Sequence, residues 1–428
     1  MPHRLQPQKC RTEMAQCAPC WIDSNVRRVV SDEARPSGGA PGVRLHDTNA
    51  TSLAHFHYRS MTSTRNTQAG AEPRSTQTWF GIPVREARLR TRLMLLRLLG
   101  ASPLPALAKR MQPPGDLIIC LHNVVAHHGP LGVNRGLDLT AAELEAVLAH
   151  LRVEGYRPVS LEDIRIRSKP DLRHDERRVA ITFDDGYAGN FHVAYPLLHR
   201  HGVPFTVYVT TGFMDREVRV WWYALERLLA RVDGVAFEHA GRTFTYSTLA
   251  RTQKVRAYRA IRALLLTARP ALADELLEQL FGGRGGELRG LADVDLLTPE
   301  QVRALSRDPL VTIGAHTVSH PVLRALSGDE SRREIRGCRE RLEAVTGGPI
   351  LHFAYPFGNR AAFGTREETF VRESGYVTAT TTCARQIDEI DRPTALPRIM
   401  LSAEMDAVTS LNVLQTGWFA YRDRVSPT

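Results

Sequence analysis

Two carboxylates stand side by side at Asp184 and Asp185, directly after the apolar run VAITF and directly before Gly186. Adjacent charges at the end of an apolar strand are costly unless something uses them. Neighbouring aspartates can divide the work: one ligates a cation while the other stays free as a general base. Gly186 lets the backbone turn sharply behind them, although DDG by itself is equally an ordinary turn sequence. A second group weighs against the plain turn. His316-Thr-Val-Ser-His320 sets two imidazoles four residues apart, immediately after VTIGA. One helical turn would bring positions i and i+4 to the same side, where both nitrogens could approach one cation. Two imidazoles and a carboxylate leave coordination positions open for water and substrate, as a catalytic divalent site requires.

These residues need a scaffold that brings distant segments together. From Asp116 the chain alternates between apolar runs and helical stretches. DLIICLHNV (116–124), VAITFDDGY (179–187), PFTVYVTTG (204–212), LVTIGAH (310–316), ILHFAYPFG (350–358), YVTATTT (376–382) and ALPRIML (395–401) read as strands. Thr140-Ala-Ala-Glu143 is a capping box opening a helix, and Thr298-Pro299-Glu300-Gln301 opens another with proline at the favoured first position. About seven strand–helix units imply a parallel sheet covered by helices, either a barrel or an open doubly wound sheet. In both, the site lies at the carboxyl ends of the strands. Asp184, Asp185, His316, Tyr355, His122 and Arg398 all fall at or near those ends.

Residues 213–297 interrupt the alternation with a largely helical insertion. Its Gly-rich stretch at 281–286 lacks the context of a phosphate-binding loop. Residues 1–78 are rich in Ser, Thr, Arg, Gly, Pro and Asn without sustained periodicity, which predicts a disordered tail. Residues 79–115 read as a linker with a short helix, 116–402 as the catalytic domain, and 403–428 as a C-terminal helix or tail.

The composition, 43% hydrophobic and 24% charged, is that of a globular chain. The net charge of +10 comes from scattered residues, many of them arginines on helix surfaces, with no motif for binding nucleic acid. Six cysteines in 428 residues make no disulfide scaffold; Cys17 and Cys20 have the spacing of half a zinc site, with no second pair nearby. No stretch approaches the roughly 20 apolar residues of a membrane span. The run Leu93–Leu99, preceded by Arg88, Arg90 and Arg92, has the style of a signal peptide but sits deep in the chain. The compartment stays open: the lack of a clear signal peptide points to the cytoplasm, and a start at Met61 or Met94 would leave secretion or the periplasm open.

TFDDGY (182–187), HTVSHP (316–321) and FAYPFG (353–358), in that order on successive strands, resemble the NodB-homology polysaccharide deacetylases, carbohydrate esterase family four. The resemblance covers about residues 116–402. It implies a distorted, TIM-like (β/α) barrel with fewer than eight units, and one divalent ion, zinc first and cobalt or nickel next. Asp185, His316 and His320 would be the ligands, Asp184 the general base, and Tyr355 the donor of a backbone N–H to the oxyanion. The implied reaction is hydrolysis of acetamido groups on an N-acetylglucosamine-type polysaccharide, with an acetylated glycan as partner. An O-acetyl esterase, or a carbohydrate-binding relative without turnover, are the alternatives.

Two features depart from the common family pattern. Phe353-Ala354 stands where an arginine is usual, and Leu396-Pro-Arg398 stands where Leu-x-His is usual; no histidine follows His352. A circularly permuted group of exopolysaccharide deacetylases carries the catalytic histidine on an early strand, and Leu121-His122-Asn123-Val124 is similar to its motif. That resemblance implies His122 as general acid and Arg398 as the group holding Asp184 ionised, both beside the metal.

Overall fold

In LIICL and VAITF alternate side chains face opposite sides of the sheet, so both runs can be apolar throughout only if both faces are covered. They are. Leu117, Ile119 and Leu121 pack with Val179, Ile181 and Phe183 into the main core beneath the helices. Ile118 and Ala180 face inward with Tyr208, Ala354 and Leu396. This computed structural model describes residues 115–165, 177–267, 270–282, 295–388, 391–403 and 406–415, with scattered positions from 78 to 107. The tail expected over 1–78 lies outside the described residues except for Thr78, as do Cys17, Cys20 and all of 416–428.

Seven parallel strands make the sheet: β1 (Leu117–Leu121), β2 (Arg177–Phe183), β3 (Phe205–Val209), β4 (Val311–Ala315), β5 (His352–Ala354), β6 (Thr378–Thr380) and β7 (Ile399–Met400). Their order is β6-β5-β4-β3-β2-β1-β7, and Tyr156–Pro158 adds a short parallel pairing at the start of β2. The sheet curls into a TIM-like half-barrel. Its two edges meet at one bridge, where Leu396 N–H donates to Ala379 O (2.9 Å) and Thr381 N–H donates to Leu396 O (2.8 Å).

The helices begin where side chains satisfy their first amides. In α1 (Ala141–Val153), Thr140 and Glu143 cap each other reciprocally, as the sequence predicts. The insertion follows β3 and contains α2 (Trp221–Arg231), α3 (Arg251–Thr267) and α4 (Pro270–Leu280). It is less helical than expected, because Gly234–His239 and Arg242–Ser247 pair as an antiparallel hairpin. The alternation in RTFTYS carried that signal, and Ala240 and Gly241 take the paired positive φ angles (50° and 71°) that a tight hairpin turn needs. The insertion has its own core, around Leu225, Phe237, Tyr258 and Leu277, which also takes Leu131 from the loop after β1. The barrel resumes through α5 (Pro299–Leu305), β4 and α6 (Gly328–Thr346), with Ser327 and Glu330 as a further capping box.

Gly314 in β4 faces the barrel interior, where a Cβ would fall on the ring of fully buried Tyr208 and 3.1 Å from His352 O. Gly314→Ala is therefore expected to destabilise the protein by about 1–3 kcal/mol through overpacking, read as a lowered urea midpoint at unchanged slope.

Candidate active site

β2 delivers its carboxylates through a turn of unusual backbone. Asp184 still bonds in register, N–H to Leu121 O at 2.9 Å. Asp185 and Gly186 then both take left-handed conformations, with φ of 73° and 82°. For aspartate this costs of order 1–3 kcal/mol, which the surrounding structure must over-determine. The turn aims the Asp185 carboxylate across the barrel mouth. Its Oδ1 lies 3.5 Å from His316 Nε2 and 3.3 Å from His320 Nε2.

The two histidines reach that point without a helix, contrary to the one-turn expectation. Residues 316–320 are a loop, with Thr317 and His320 left-handed at φ 66° and 59°. Glu334 of α6 holds it, accepting from Val318 N–H (2.9 Å), Ser319 N–H (2.8 Å) and Ser319 Oγ (2.6 Å). On the other side the amides of Thr211 and Gly212 donate to Thr317 O and Val318 O. His316 Nδ1 lies 2.8 Å from Ala354 O. A carbonyl only accepts, so Nδ1 carries the proton and Nε2 presents its lone pair. The His320 ring packs between Phe213 (centroids 5.9 Å apart) and Phe357 (5.0 Å).

Burial pushes the pKa of both imidazoles down to about 4, so both are neutral at physiological pH. Asp185 Oδ1 is itself buried and has no hydrogen-bond partner among the described residues. Three potential ligand atoms thus converge, all within 4.8 Å of one another. That donor set fits a divalent cation.

Beside it sits the second carboxylate. Arg398 grips Asp184 with two parallel bonds, Nη1 to Oδ1 at 2.6 Å and Nη2 to Oδ2 at 2.7 Å. The arginine is fully buried, and its remaining donors reach Thr381 O (3.0 Å) and Thr182 Oγ1 (3.1 Å). Burial opposes ionisation of Asp184, but the Arg398 charge, aided by His316, the Arg398 hydrogen bonds and His122, outweighs it. The carboxyl is held well below its ordinary range. Cys120 Sγ donates to Asp184 Oδ2 at 3.4 Å, and burial keeps it a thiol by raising its pKa. His122 follows β1 into the same place, with ligand atoms of Cys120, His122 and Asp184 within 4.8 Å of one another. Its Nδ1 is buried and unpartnered among the described residues.

Residues 171–372 match the family model described as polysaccharide deacetylase. The chain carries a polysaccharide deacetylase domain. A Bacillus subtilis protein, YxkH, assigned by name to the polysaccharide deacetylases, is 28% identical over 100 residues, which is 23% of this chain and 34% of that protein. Among solved structures, the Streptococcus pyogenes deacetylase PplD in complex with acetate is 18% identical, covering 71% of this chain and 99% of its own at a TM-score of 0.47. IcaB from Ammonifex degensii is 16% identical, covering 71% and 98% at 0.46. The BpsB deacetylase domain from Bordetella bronchiseptica is 16% identical, covering 68% and 98% at 0.42.

The structure brings six of the seven expected residues to one mouth. Tyr355 does not serve as expected: its N–H already donates to Thr380 O (3.1 Å) in the sheet ladder, and its hydroxyl donates to Thr394 O (3.0 Å). The amide two residues on, at Phe357, has no partner among the described residues, and its φ is 60°. Arg398 precedes β7 rather than ending it, and its long side chain runs up the barrel interior to Asp184. Glu334, Cys120 and Phe213 join the site without a sequence signal. A glutamate within an Arg-rich helix, a cysteine in an apolar strand and a phenylalanine after a strand all read as surface or core.

Arg398→Lys keeps the charge but loses the fork. Because pairing lowers the Asp184 pKa and the base acts only when ionised, the acidic limb of kcat/KM should move to higher pH. About 1.4 kcal/mol of lost pairing corresponds to one pH unit. A limb unchanged from wild type in a pH–rate profile would refute this coupling.

Proposed function

We propose that the protein is a metal-dependent hydrolase that removes N-acetyl groups from an N-acetylglucosamine-type exopolysaccharide, releasing acetate. The observation that carries this reading is the convergence of three ligand atoms, from Asp185, His316 and His320, beside a separate carboxylate held ionised by Arg398. A divalent ion in that shell, zinc first and cobalt or nickel next, would polarise the acetyl carbonyl and acidify a water. Asp184 then accepts the proton of the attacking water, since its charge is fixed and its oxygens are oriented. The Phe357 amide offers a donor to the carbonyl oxygen as negative charge develops there. His122, across from Asp184, gives a proton to the departing nitrogen as the C–N bond breaks. Phe357, half exposed beside His320, presents an apolar ring to a sugar face.

The position of His122 directly after the first strand, with Arg398 directly before the last, supports the circularly permuted exopolysaccharide type. The family match supports the deacetylase class.

Asp184→Asn should bind metal as wild type does while acetate release falls by about 100–10,000-fold. His316→Ala should lose metal and activity together. Acetate release from N-acetylated and O-acetylated glycans, with and without chelator, tests the class. Release from O-acetylated glycans alone would make the protein an esterase; metal uptake with no release from any glycan would make it a binding protein.

A further inference from the structure

A second group of potential ligand atoms gathers around Asp184. Cys120 in β1 and His122 directly after that strand stand so that one ligand atom from each of the three residues lies within 4.8 Å of the others. Cys120 is fully buried, and its Sγ donates to Asp184 Oδ2 at 3.4 Å. His122 Nδ1 is buried and has no hydrogen-bond partner among the described residues. An unpartnered imidazole nitrogen, a thiol and a carboxylate in one place are a mixed donor set of the kind that takes zinc and other thiophilic ions.

The spacing suits an ion as well as a proton. Tetrahedral zinc holds sulfur at about 2.3 Å and carboxylate oxygen at about 2.0–2.2 Å, which sets the two ligand atoms roughly 3.5 Å apart. Cys120 Sγ and Asp184 Oδ2 are separated by 3.4 Å. A carboxylate oxygen has two lone pairs. On Oδ2 one accepts from Arg398 Nη2 (2.7 Å) and the other from the thiol. An ion that replaces the thiol proton therefore leaves the Arg398 bonds in place. The S–H bond breaks, the proton leaves to water, and sulfur and oxygen both bind the ion.

Charge ranks this set below the Asp185, His316 and His320 set. The Asp184 charge is already matched by Arg398, and the thiol must give up a proton that burial helps it keep. We propose that Cys120, His122 and Asp184 form a second, weaker site for a thiophilic divalent ion, zinc in excess or cadmium, and that its filling inhibits the enzyme. The inhibition rests on the function proposed above, because an ion there ties up the base Asp184 and the acid His122 together; the binding does not. Magnesium, a hard ion that gains little from sulfur and imidazole, should not inhibit.

The test is a titration with zinc and, separately, with cadmium of the full chain carrying Cys17→Ser and Cys20→Ser, which remove a cysteine pair that would compete for the same ions. Bound metal is counted by equilibrium dialysis, cadmium–thiolate bonding is read from its near-ultraviolet charge-transfer absorption, and acetate release is followed over the same range. Two zinc ions should bind in turn, acetate release rising with the first and falling with the second. In the same background Cys120→Ser should remove part of the cadmium absorption. It should also raise the zinc needed for half-inhibition by at least the ~10–100-fold that losing even an outer partner of a ligand costs. Cys120→Ala makes the same comparison if the serine variant does not fold. Equal half-inhibition and equal cadmium absorption with and without the Cys120 thiol would overturn the second site. Cys120-dependent cadmium binding in a protein that releases no acetate at any zinc level would leave the site standing and overturn the proposed function instead.

Discussion

The ion pair between Arg398 and Asp184 joins the parts of this structure on which everything else depends. Both groups are removed from water, with side-chain exposures of 0% and 4%. Taking two such charges out of water costs several kcal/mol each, recovered only when geometry and additional hydrogen bonds are good. Here the guanidinium makes two bonds to the carboxylate, one to Thr182 Oγ1 and one to Thr381 O, and stacks over the Tyr208 ring at 5.4 Å. Those partners come from β2, from the end of β6 and from β3, while Arg398 itself leads into β7. The pair therefore ties the end of the chain to the strand that carries the site, across the place where the sheet edges meet.

Around that pair the barrel interior changes character with height. Low down it is apolar, with Ile118, Ala180 and Ala354 packed near Tyr208. One residue pair higher it becomes polar, with Cys120 and Thr182 facing in, and above them lie Asp184, Asp185 and the histidines. The same two-residue period that buries the strands stacks hydrogen-bonding groups beneath the carboxylates. Asp184 is thus fixed from below, while Asp185 is carried over the mouth by a left-handed turn.

Backbone strain concentrates at the same mouth. Asp185, Thr317, His320 and Phe357 are non-glycine residues with positive φ, and all four border the convergent donors. Such conformations persist only where neighbouring interactions outweigh their cost. Glu334 supplies them for the histidine loop, and the seam between residues 186–188 and 295–297 supplies them for the aspartate turn.

What the sequence determined by itself was local. The apolar runs, the capping pairs Thr140–Glu143 and Thr298–Gln301, and the DDG and HxxxH groups depend on contacts a few residues apart. The parallel sheet follows from their alternation, because each strand–helix unit must bury both faces. Tertiary structure decided the rest. The histidine pair has no helix because its loop bonds to Glu334 and to the Thr211–Gly212 amides, partners that spacing does not reveal. Tyr355 lost its expected role because its amide completes the ladder with Thr380, a pairing set by strand register. Arg398 meets Asp184 across 214 residues of sequence. Only the curl of the sheet, which brings the last strand beside the first, makes that contact possible.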